Sequence, residues 1–381
     1  MIFNSLGSNY NFNFVFKSLF ASNSEKNKLD LISFLSTKYD GKTVLLYKGR
    51  EAIKLSLDIL NLPKGTKVGI TGFTCYAVYK SVVNANYSPI YLDIDKSTLN
   101  FSLEEIKKHK DLKVLIIQNT LGISCDIVKI KKHCLEKNII LIEDLAHSIG
   151  NENTGLYGDF VVLSFGQDKV IDAISGGALI IRNKKYQNLL NNFSLEKIAF
   201  SQQIKDRFYP LFTFLIRKTY KIGFGKLLHF FLKKLNILST PVNNKTINYH
   251  ELPSWYCSLV KFQFSKLQEN LEHRRKIADL YQSKINCETV NSVLRFSLLI
   301  NKRQELIKYL KQFGIFISDI WYDAPIAPKR FLKLTNYSGE CPVSEDISDR
   351  IVNLPTHINV SKLDAEKISA LVNQWQNTQQ K

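Results

Sequence analysis

Short apolar runs alternate with helical stretches over the first half of the chain. The segments between the runs carry apolar residues at helical spacing, as in residues 49–61. Continuous apolar runs are typical of parallel strands buried on both faces, and their alternation with helices indicates β-α-β units. The pattern therefore predicts an α/β fold with a mostly parallel sheet flanked by helices. The expected strands are KVGIT (67–71), SPIYLDI (88–94), KVLIIQN (113–119), NIILIED (138–144), FVVLSF (160–165) and ALIIRN (178–183).

This alternation weakens in the middle of the chain. Residues 190–245 are aromatic and basic, residues 258–285 are typical of one long helix, and strands and helices mix afterwards. A chain of 381 residues is also long for one compact unit. We expect a large domain over residues 1–245, with a basic aromatic insert at 205–240, and a smaller C-terminal α+β domain over residues 246–381.

The chain has a formal net charge of +18, and its composition gives no indication of a metal site. The six cysteines are scattered, without a CxxC pair or zinc-type Cys/His spacing, so we expect free thiols in a reducing compartment. The first 20 residues do not resemble a signal peptide, and no apolar run approaches the ~18 residues that span a bilayer. These features predict a cytoplasmic protein.

The basic insert concentrates the charge. Between Lys205 and Lys234 there are eight Lys or Arg residues and one acid, Asp206. Apolar positions over 226–238 follow helical spacing, which predicts an amphipathic helix with a cationic side. Residues 207–238 then form either a lid or dimer-packing helix, or a helix lying on the inner, anionic face of the membrane. Nucleic acid is a weaker explanation because no recognised binding motif occurs, and we expect no such partner.

Candidate chemistry lies in four closely spaced segments: EDLAHSIG (143–150), GLYGDF (155–160), SFGQDK (164–169) and SGGA (175–178). An acid closes one buried strand, where α/β folds place ligands, and a lysine follows the next strand. Taken alone, such an acid is more often a turn or cap residue, and a single lysine is usually a solvated surface charge. Their order and spacing favour a pyridoxal-phosphate (PLP) site, which needs an amine, an anion facing the pyridinium nitrogen and phosphate donors.

These segments resemble the DegT/DnrJ/EryC1/StrS family of sugar aminotransferases, which are PLP enzymes of fold type I. The family's run is roughly E-D-x-A-[HQ]-x-x-G, G-x-x-G-D, S-F-x-x-x-K and G-G-[AG], and all four parts occur here in order. Flanking similarity extends the resemblance to roughly residues 45–375. It implies a large domain with a seven-stranded type of sheet, a smaller C-terminal α+β domain and a homodimer.

The resemblance also implies roles for three central residues. Lys169 is expected to carry PLP as a Schiff base and to move protons at the substrate carbon. Asp144 is expected to pair with the pyridine nitrogen, which makes the ring an electron sink. His147 is expected to reach the ring hydroxyl, although an isolated histidine is more often a partly buried structural residue.

Phosphate contacts are implied at the start of a helix. Ser164 is expected to bind the phosphate, and the backbone amides of Arg50 and Glu51 in G-R-E-A-I (49–53) are expected to complete the cradle, because helix N-termini attract anions. The family usually has threonine where this chain has Arg50. That side chain is expected either to bind phosphate directly or to face solvent.

Two further positions depart from the family pattern. Cys75 aligns with the expected ring-stacking aromatic residue in G-F-T-C-Y (72–76), so Tyr76 or Phe73 is expected to take that role. The family's G-x-N-Y-R segment, which supplies a phosphate contact from the neighbouring subunit, corresponds here to TINYHELPSW (246–255).

The function implied is transfer of an amino group from an amino acid, glutamate by family habit, to a keto-sugar nucleotide. This reaction would serve surface polysaccharide or lipopolysaccharide biosynthesis. One alternative is a PLP-dependent sugar dehydratase, but such family members replace the lysine with histidine, which disagrees with Lys169. Another alternative is a non-catalytic, membrane-docked member of the family.

Overall fold

The computed structural model describes residues 1–238, 243–290, 292, 294–317 and 322–379. The last two residues of the insert 205–240 lie outside this description. The fold consists of a large sheet covered by helices on both faces and a smaller sheet with its own helices.

The α-helices are α1 Phe12–Phe20, α2 Glu25–Tyr39, α3 Gly49–Leu60, α4 Tyr76–Asn84, α5 Leu103–Lys107, α6 Ile127–Lys137, α7 Lys184–Gln187, α8 Phe200–Thr219, α9 Phe224–Lys234, α10 Ser254–Ser265, α11 Leu267–Lys284, α12 Arg303–Gln312, α13 Pro342–Arg350 and α14 Lys362–Gln379. Short 3-10 helices cover Thr120–Gly122, Asn188–Asn192 and Lys329–Leu334.

The strands are β1 Ile2–Phe3, β2 Lys42–Leu46, β3 Lys67–Thr71, β4 Thr74–Cys75, β5 Ser88–Leu92, β6 Val114–Ile117, β7 Ile140–Asp144, β8 Phe160–Ser164, β9 Gly177–Ile181, β10 Thr289–Val290, β11 Phe296–Leu299, β12 Ile315–Phe316, β13 Ile326–Ala327 and β14 Ile351–Leu354. The six strands expected in the first half of the chain correspond to β3 and β5–β9.

Seven strands form the main sheet in the order β2-β9-β8-β7-β6-β3-β5. β9 runs antiparallel to β2 and β8, whereas the other neighbouring pairs are parallel. The predicted α/β class with a mostly parallel, seven-stranded sheet is therefore confirmed. Because the parallel strands end at one edge, the residues that follow β6, β7 and β8 meet there, beside the start of β9.

Alternate residues of the main sheet pack into two different cores. Val162 on β8 faces the core formed with α3 and α4, whereas Val161 and Leu163 face the core formed with α2 and α10. Both faces of the sheet are thus dry, which explains why its strands are continuous apolar runs.

The smaller unit is built on the antiparallel sheet β10-β11-β14. Helices α11, α12 and α14 pack against each other and this sheet around Phe296 and Val352. The N-terminus joins this unit, because β1 pairs with β12 and the Asn4 side chain donates to the Asn353 carbonyl at 2.7 Å. Residues from both ends of the chain therefore build the C-terminal part of the fold.

One helix expectation was wrong. The predicted single helix over 258–285 is two helices, α10 and α11, because Lys266 leaves the helical conformation at φ −106° and ψ 2°. α10 packs against α2 on the large sheet, so the large core extends past residue 246. The division at 245/246 stays a prediction, and this packing favours a limit near Lys266.

Close backbone packing joins the start of α3 to the sheet edge, and a substitution tests its contribution to stability. A Cβ at Gly177 would lie 2.6 Å from the Gly49 nitrogen and 2.7 Å from the Lys48 carbonyl carbon. We expect Gly177→Ala to cost about 1–3 kcal/mol, because backbone cannot yield as a flexible side chain does. The melting temperature measures this loss. Gly166→Ala is the control, since its Cβ would meet only the Ser164 hydroxyl at 3.8 Å, and equal losses would contradict the argument.

Candidate active site

A cavity of about 520 Å³ lies at the carboxyl edge of the main sheet. Strand ends and the loops after them supply its buried lining residues, while α9 and the 3-10 helix Lys329–Leu334 supply the exposed Lys233 and Arg330, which define its mouth. Its volume is in the range of small-molecule sites. The lining residues used below are Lys48, Gly49, Arg50, Cys75, Gln118, Asp144, His147, Ser164, Asp168, Lys169, His229, Lys233, Tyr322 and Arg330.

Asp144 is the last residue of β7, and 3% of its surface is exposed. Burial raises the pKa of this carboxyl group to about 6, while the Ala146 N–H, which donates at 3.0 Å, and the Lys169 charge oppose the rise. The carboxylate is therefore ionised at neutral pH, and a cation in the cavity would hold it so.

Lys169 lies in the loop between β8 and β9, and Asp172 fixes that loop. The Asp172 carboxylate accepts hydrogen bonds from the Asp168 N–H at 2.9 Å and the Ile174 N–H at 3.1 Å. The Asp168 and Ile174 residues have φ values of 65° and 72°, a conformation that a β-branched residue rarely adopts. The surrounding hydrogen bonds maintain this strained loop and so fix the backbone position of Lys169.

Burial also lowers the pKa of the Lys169 amine, and the positive charge of Arg295 adds to this effect. Cys75, Asp144 and Asp168 act in the opposite direction. A lowered pKa increases the fraction of neutral amine at neutral pH, and the neutral amine is the form that attacks carbonyl carbon or accepts a proton.

His147 follows β7 and lines the same cavity. Burial, together with the positive charges of Lys169 and Arg295, lowers its pKa well below the ordinary value, so the ring is neutral. The Leu121 N–H donates to Nδ1 at 3.2 Å, which places the ring hydrogen on Nε2. His147 can therefore donate one hydrogen bond through Nε2.

The start of α3 lies against the end of β8. A Cβ at Gly49 would be 2.8 Å from the Ser164 Cβ, so glycine allows the helix to begin beside that side chain. Lys48, at the N-cap, has no side-chain acceptor for the first amides of the helix. Ser164, the first turn of α3 and the Arg50 side chain thus line one end of the cavity with hydrogen-bond donors.

Glu51 contributes little to that end of the cavity. Its N–H donates to the Lys48 carbonyl at 3.1 Å. Its buried carboxylate accepts hydrogen bonds from the His250 N–H at 3.0 Å and faces the His250 Nδ1 at 3.1 Å. The geometry therefore does not support the expected phosphate contact from the Glu51 amide.

The expected aromatic residue Tyr76 also lies away from the cavity as the described residues define it. Its hydroxyl donates to the Asn244 side chain at 2.6 Å and its ring stacks on Phe331. Cys75, at the end of β4, and Ala77 and Val78 of α4 line the cavity instead.

Tyr322 is an aromatic residue of the cavity that sequence reasoning missed. Its hydroxyl lies 3.3 Å from the His147 Nδ1 and accepts a hydrogen bond from the Gln118 amide at 3.0 Å. Gln118 follows β6, so its place at the sheet edge could have been inferred from the strand pattern. Tyr322 comes from the C-terminal half and carries no local motif that indicates its position.

The residues present fit PLP by the chemistry of their donor set. An amine of lowered pKa and a buried carboxylate share one cavity, and among the described residues the Ala146 N–H donates to that carboxylate at 3.0 Å. A hydroxyl, a helix start and a guanidinium lie at one end, as a phosphate requires. Lys169, Asp144, His147, Ser164 and Arg50 are therefore the residues that would hold the cofactor.

Comparison with known proteins identifies a family over most of the chain. The model of the DegT/DnrJ/EryC1/StrS aminotransferase family matches residues 37–373. This span contains the main sheet, the cavity residues named above and most of the smaller unit.

Individual relatives are distant. GDP-perosamine synthase of Vibrio cholerae is 26% identical over 162 residues, which cover 41% of this chain and 43% of that protein. GDP-perosamine synthase of Escherichia coli O157:H7 is 21% identical over 346 residues, or 86% of this chain and 84% of that protein. The structure of E. coli GDP-4-keto-6-deoxy-D-mannose-3-dehydratase with bound hydrated PLP gives a TM-score of 0.73 at 17% identity, covering 98% and 100% of the two chains. At that identity the likeness shows the fold.

The pKa of Asp144 generates a pH-dependent prediction for PLP affinity. Above about pH 6 the carboxylate is ionised and can pair with a protonated ring nitrogen, whereas below that pH it carries a proton. We expect Asp144→Asn to weaken PLP binding by roughly 10²-fold at pH 8, as removal of one partner of a buried ion pair does. The ratio of the two dissociation constants should shrink towards pH 5.

Fluorescence titration of the apoprotein at several pH values measures this ratio. Titration of the PLP phosphate affects wild type and variant alike, so it cancels in the ratio. A ratio that does not change between pH 5 and pH 8 would contradict the role of Asp144.

Proposed function

The chain belongs to the DegT/DnrJ/EryC1/StrS aminotransferase family and is a PLP-dependent aminotransferase, and we propose that it transfers the amino group of glutamate to a keto-sugar nucleotide in surface polysaccharide or lipopolysaccharide biosynthesis. The relatives named GDP-perosamine synthase support a nucleotide-linked sugar as acceptor. The proposed site is the cavity at the edge of the main sheet.

One observation carries this proposal: Lys169 and Asp144 line the same cavity, and each perturbs the pKa of the other. An amine and a carboxylate at this edge could be structural if they only formed an ion pair. Their shifts instead move both groups towards neutrality, because desolvation outweighs their mutual attraction. Such a pair is prepared for a ligand that supplies a positive ring and a carbonyl group.

In the proposed mechanism, bound PLP would supply an aldehyde that takes up the amino group and a ring that withdraws electrons from the substrate carbon. Asp144 would hold a positive charge on the ring nitrogen, and the His147 Nε2–H would donate to the ring hydroxyl. Ser164 and Arg50 would hold the phosphate end. The Lys169 amine removes a proton from the donor's carbon and returns one to the sugar carbon, which requires its neutral form.

A dehydratase is the second candidate, since one protein of similar structure is named GDP-4-keto-6-deoxy-D-mannose-3-dehydratase. The family pattern places histidine in such enzymes at the position of Lys169, so the lysine favours transfer. A non-catalytic role does not account for a buried amine of lowered pKa in a cavity with donors for an anion.

Replacing Lys169 tests the attachment of the cofactor. We expect borohydride treatment of the PLP-loaded protein to leave a covalent label on Lys169, detected by mass spectrometry of the peptide. Lys169→Ala should lose the label and reduce 2-oxoglutarate formation by about 10²–10⁴-fold, the usual contribution of a positioned proton-transfer group. Lys48→Ala is the control for labelling, because it removes a second lysine that lines the cavity.

The acceptor is tested with a panel of keto-sugar nucleotides and glutamate. Formation of an amino sugar with an equal amount of 2-oxoglutarate would support transfer. Formation of a deoxygenated sugar would instead identify a dehydratase, and a label on Lys48 alone would contradict the assignment of Lys169.

We also propose that the basic insert contacts an anionic membrane surface on the cytoplasmic side. Phe224, Leu227, Phe230 and Phe231 on α9 are each about half exposed or more. The acid of the insert, Asp206, is buried and accepts a hydrogen bond from the Tyr256 hydroxyl at 2.8 Å, so the exposed surface around α9 is cationic. Exposed aromatic residues flanked by lysines suit the boundary between lipid headgroups and acyl chains.

α1 carries exposed aromatic residues of the same kind. Phe12, Phe16 and Phe20 are exposed on it at four-residue spacing, and α8 contacts both α1 and α9. Among the described residues, no helix is long and apolar enough to cross a membrane, so the contact proposed is peripheral. A second copy of the chain, as in the homodimer that the family pattern implies, is the other occupant that this surface could accept.

Liposome sedimentation tests the membrane contact. We expect wild type to pellet with phosphatidylserine-containing vesicles, less so at high salt, and the Phe224→Ser/Phe230→Ser variant to lose about tenfold or more in affinity, since each buried phenylalanine contributes about 1.5–3 kcal/mol. Phe313→Ser is the control, because Phe313 is an exposed phenylalanine at the end of α12.

Sedimentation velocity of the same variants shows whether a membrane or a second copy of the chain covers this surface. Unchanged pelleting with a loss of dimer would show that a second copy covers this surface. That result would remove the membrane proposal.

A further inference from the structure

α9 has two faces with different environments. Its packing on α8 is close, because a Cβ at Gly225 would lie 2.2 Å from the Ile216 carbonyl oxygen. This contact fixes the rotation of the helix. His229 and Lys233, one turn apart, line the cavity, while Phe230 and Lys234 are exposed on other sides of the helix.

Cations are in excess around the cavity. Among its described lining residues, five lysine or arginine side chains accompany two carboxylates. Arg50 lies at the α3 end, where the proposed function places the cofactor phosphate, and Lys169 is needed for attachment. Lys48 is at the N-cap of α3, beside Arg50. The other two, Lys233 and Arg330, have exposed side chains and come from α9 and from the 3-10 helix Lys329–Leu334.

We propose that Lys233 and Arg330, together with His229 one turn before Lys233 on α9, bind the diphosphate of a nucleoside-diphosphate sugar at the mouth of the cavity. This proposal rests on the proposed function and assigns the part of the site that recognises the nucleotide. The sugar then extends inward towards Lys169, and the nucleoside lies at the outer end.

The chemistry of the three side chains fits a diphosphate. A guanidinium pairs with two oxygens of one phosphate group, and an ammonium acts as a point charge on the neighbouring group. Burial and the charge of Lys233 lower the pKa of His229, so its ring is neutral at pH 7 and offers a hydrogen bond to a phosphate or sugar oxygen. Val78 and Pro328, which also line the cavity, provide apolar contact beside these groups.

Adjacent lysines on α9 provide a matched pair for the experiment. Lys233 lines the cavity, whereas Lys234 is exposed and is not among the described lining residues. The two variants Lys233→Gln and Lys234→Gln therefore remove the same charge from the same helix. Only the first removes it from the proposed binding site.

Calorimetry on the PLP-loaded protein, with GDP, UDP and dTDP as probes, measures the binding directly. We expect at least one of them to bind wild type, and Lys233→Gln and Arg330→Gln each to weaken that binding about tenfold, as loss of a charge-assisted hydrogen bond does. Lys234→Gln should bind within twofold of wild type. The KM for the keto-sugar nucleotide should rise with the same pattern.

A second measurement distinguishes this inference from the proposed function. Conversion of glutamate to 2-oxoglutarate without acceptor should stay within twofold in Lys233→Gln, and PLP affinity should not change. Weaker PLP binding in this variant would assign Lys233 to the cofactor phosphate and overturn the inference.

Failure of this inference can also be distinguished from failure of the proposed function. If wild type aminates a keto-sugar nucleotide but both variants retain wild-type KM and nucleotide affinity, the inference alone is wrong. If wild type neither binds the three nucleotides nor uses their keto-sugars, the proposed acceptor class is wrong, and the inference falls with it.

Discussion

Desolvation at the carboxyl edge of the main sheet sets the chemistry of this protein. It raises the pKa of Asp144 to about 6 and lowers that of Lys169, although their opposite charges attract. Each group would be ionised without penalty in water, whereas burial here shifts the pKa of each towards its neutral form. A ligand with a cationic ring and a carbonyl group relieves both costs at once, because it pairs with the carboxylate and consumes the neutral amine.

The scaffold maintains this arrangement from behind the cavity. Asp172 accepts hydrogen bonds from the Lys169 loop and from the Tyr10 hydroxyl at 2.6 Å, and the Asn9 amide donates to the Lys169 carbonyl at 3.1 Å. Asn9 in turn accepts a hydrogen bond from Arg274 of α11 at 2.8 Å. The N-terminal segment therefore links the strained loop to the smaller unit, and the position of the lysine depends on residues from three distant parts of the sequence.

Local sequence was sufficient for the inner wall of the cavity. Asp144 ends one apolar run and Lys169 follows another, and both runs were predicted to be buried strands, so their common edge followed from sheet geometry. Tyr76 or Phe73 was expected to stack on the ring, and the described lining of the cavity contains Cys75 but neither of these two aromatic residues. Tyr322 and His229 reach the cavity through long-range packing of segments whose local patterns predict only a helix or a loop. Such contacts depend on the whole fold, and a single sequence does not specify them in any short window.

Helix α9 of the insert contributes both to the mouth of the cavity and to the exposed aromatic surface proposed to contact the membrane. Because the backbone of Gly225 packs directly on α8, α9 cannot rotate without losing that contact, and its cavity face and its aromatic face are fixed relative to each other. A bilayer bound to Phe230 and Leu227 would therefore hold Lys233 in place over the cavity. Lipid binding and nucleotide binding should then be coupled with a positive sign, since each stabilises the same position of one helix. A helix that moved away from the cavity on lipid binding would give the opposite sign.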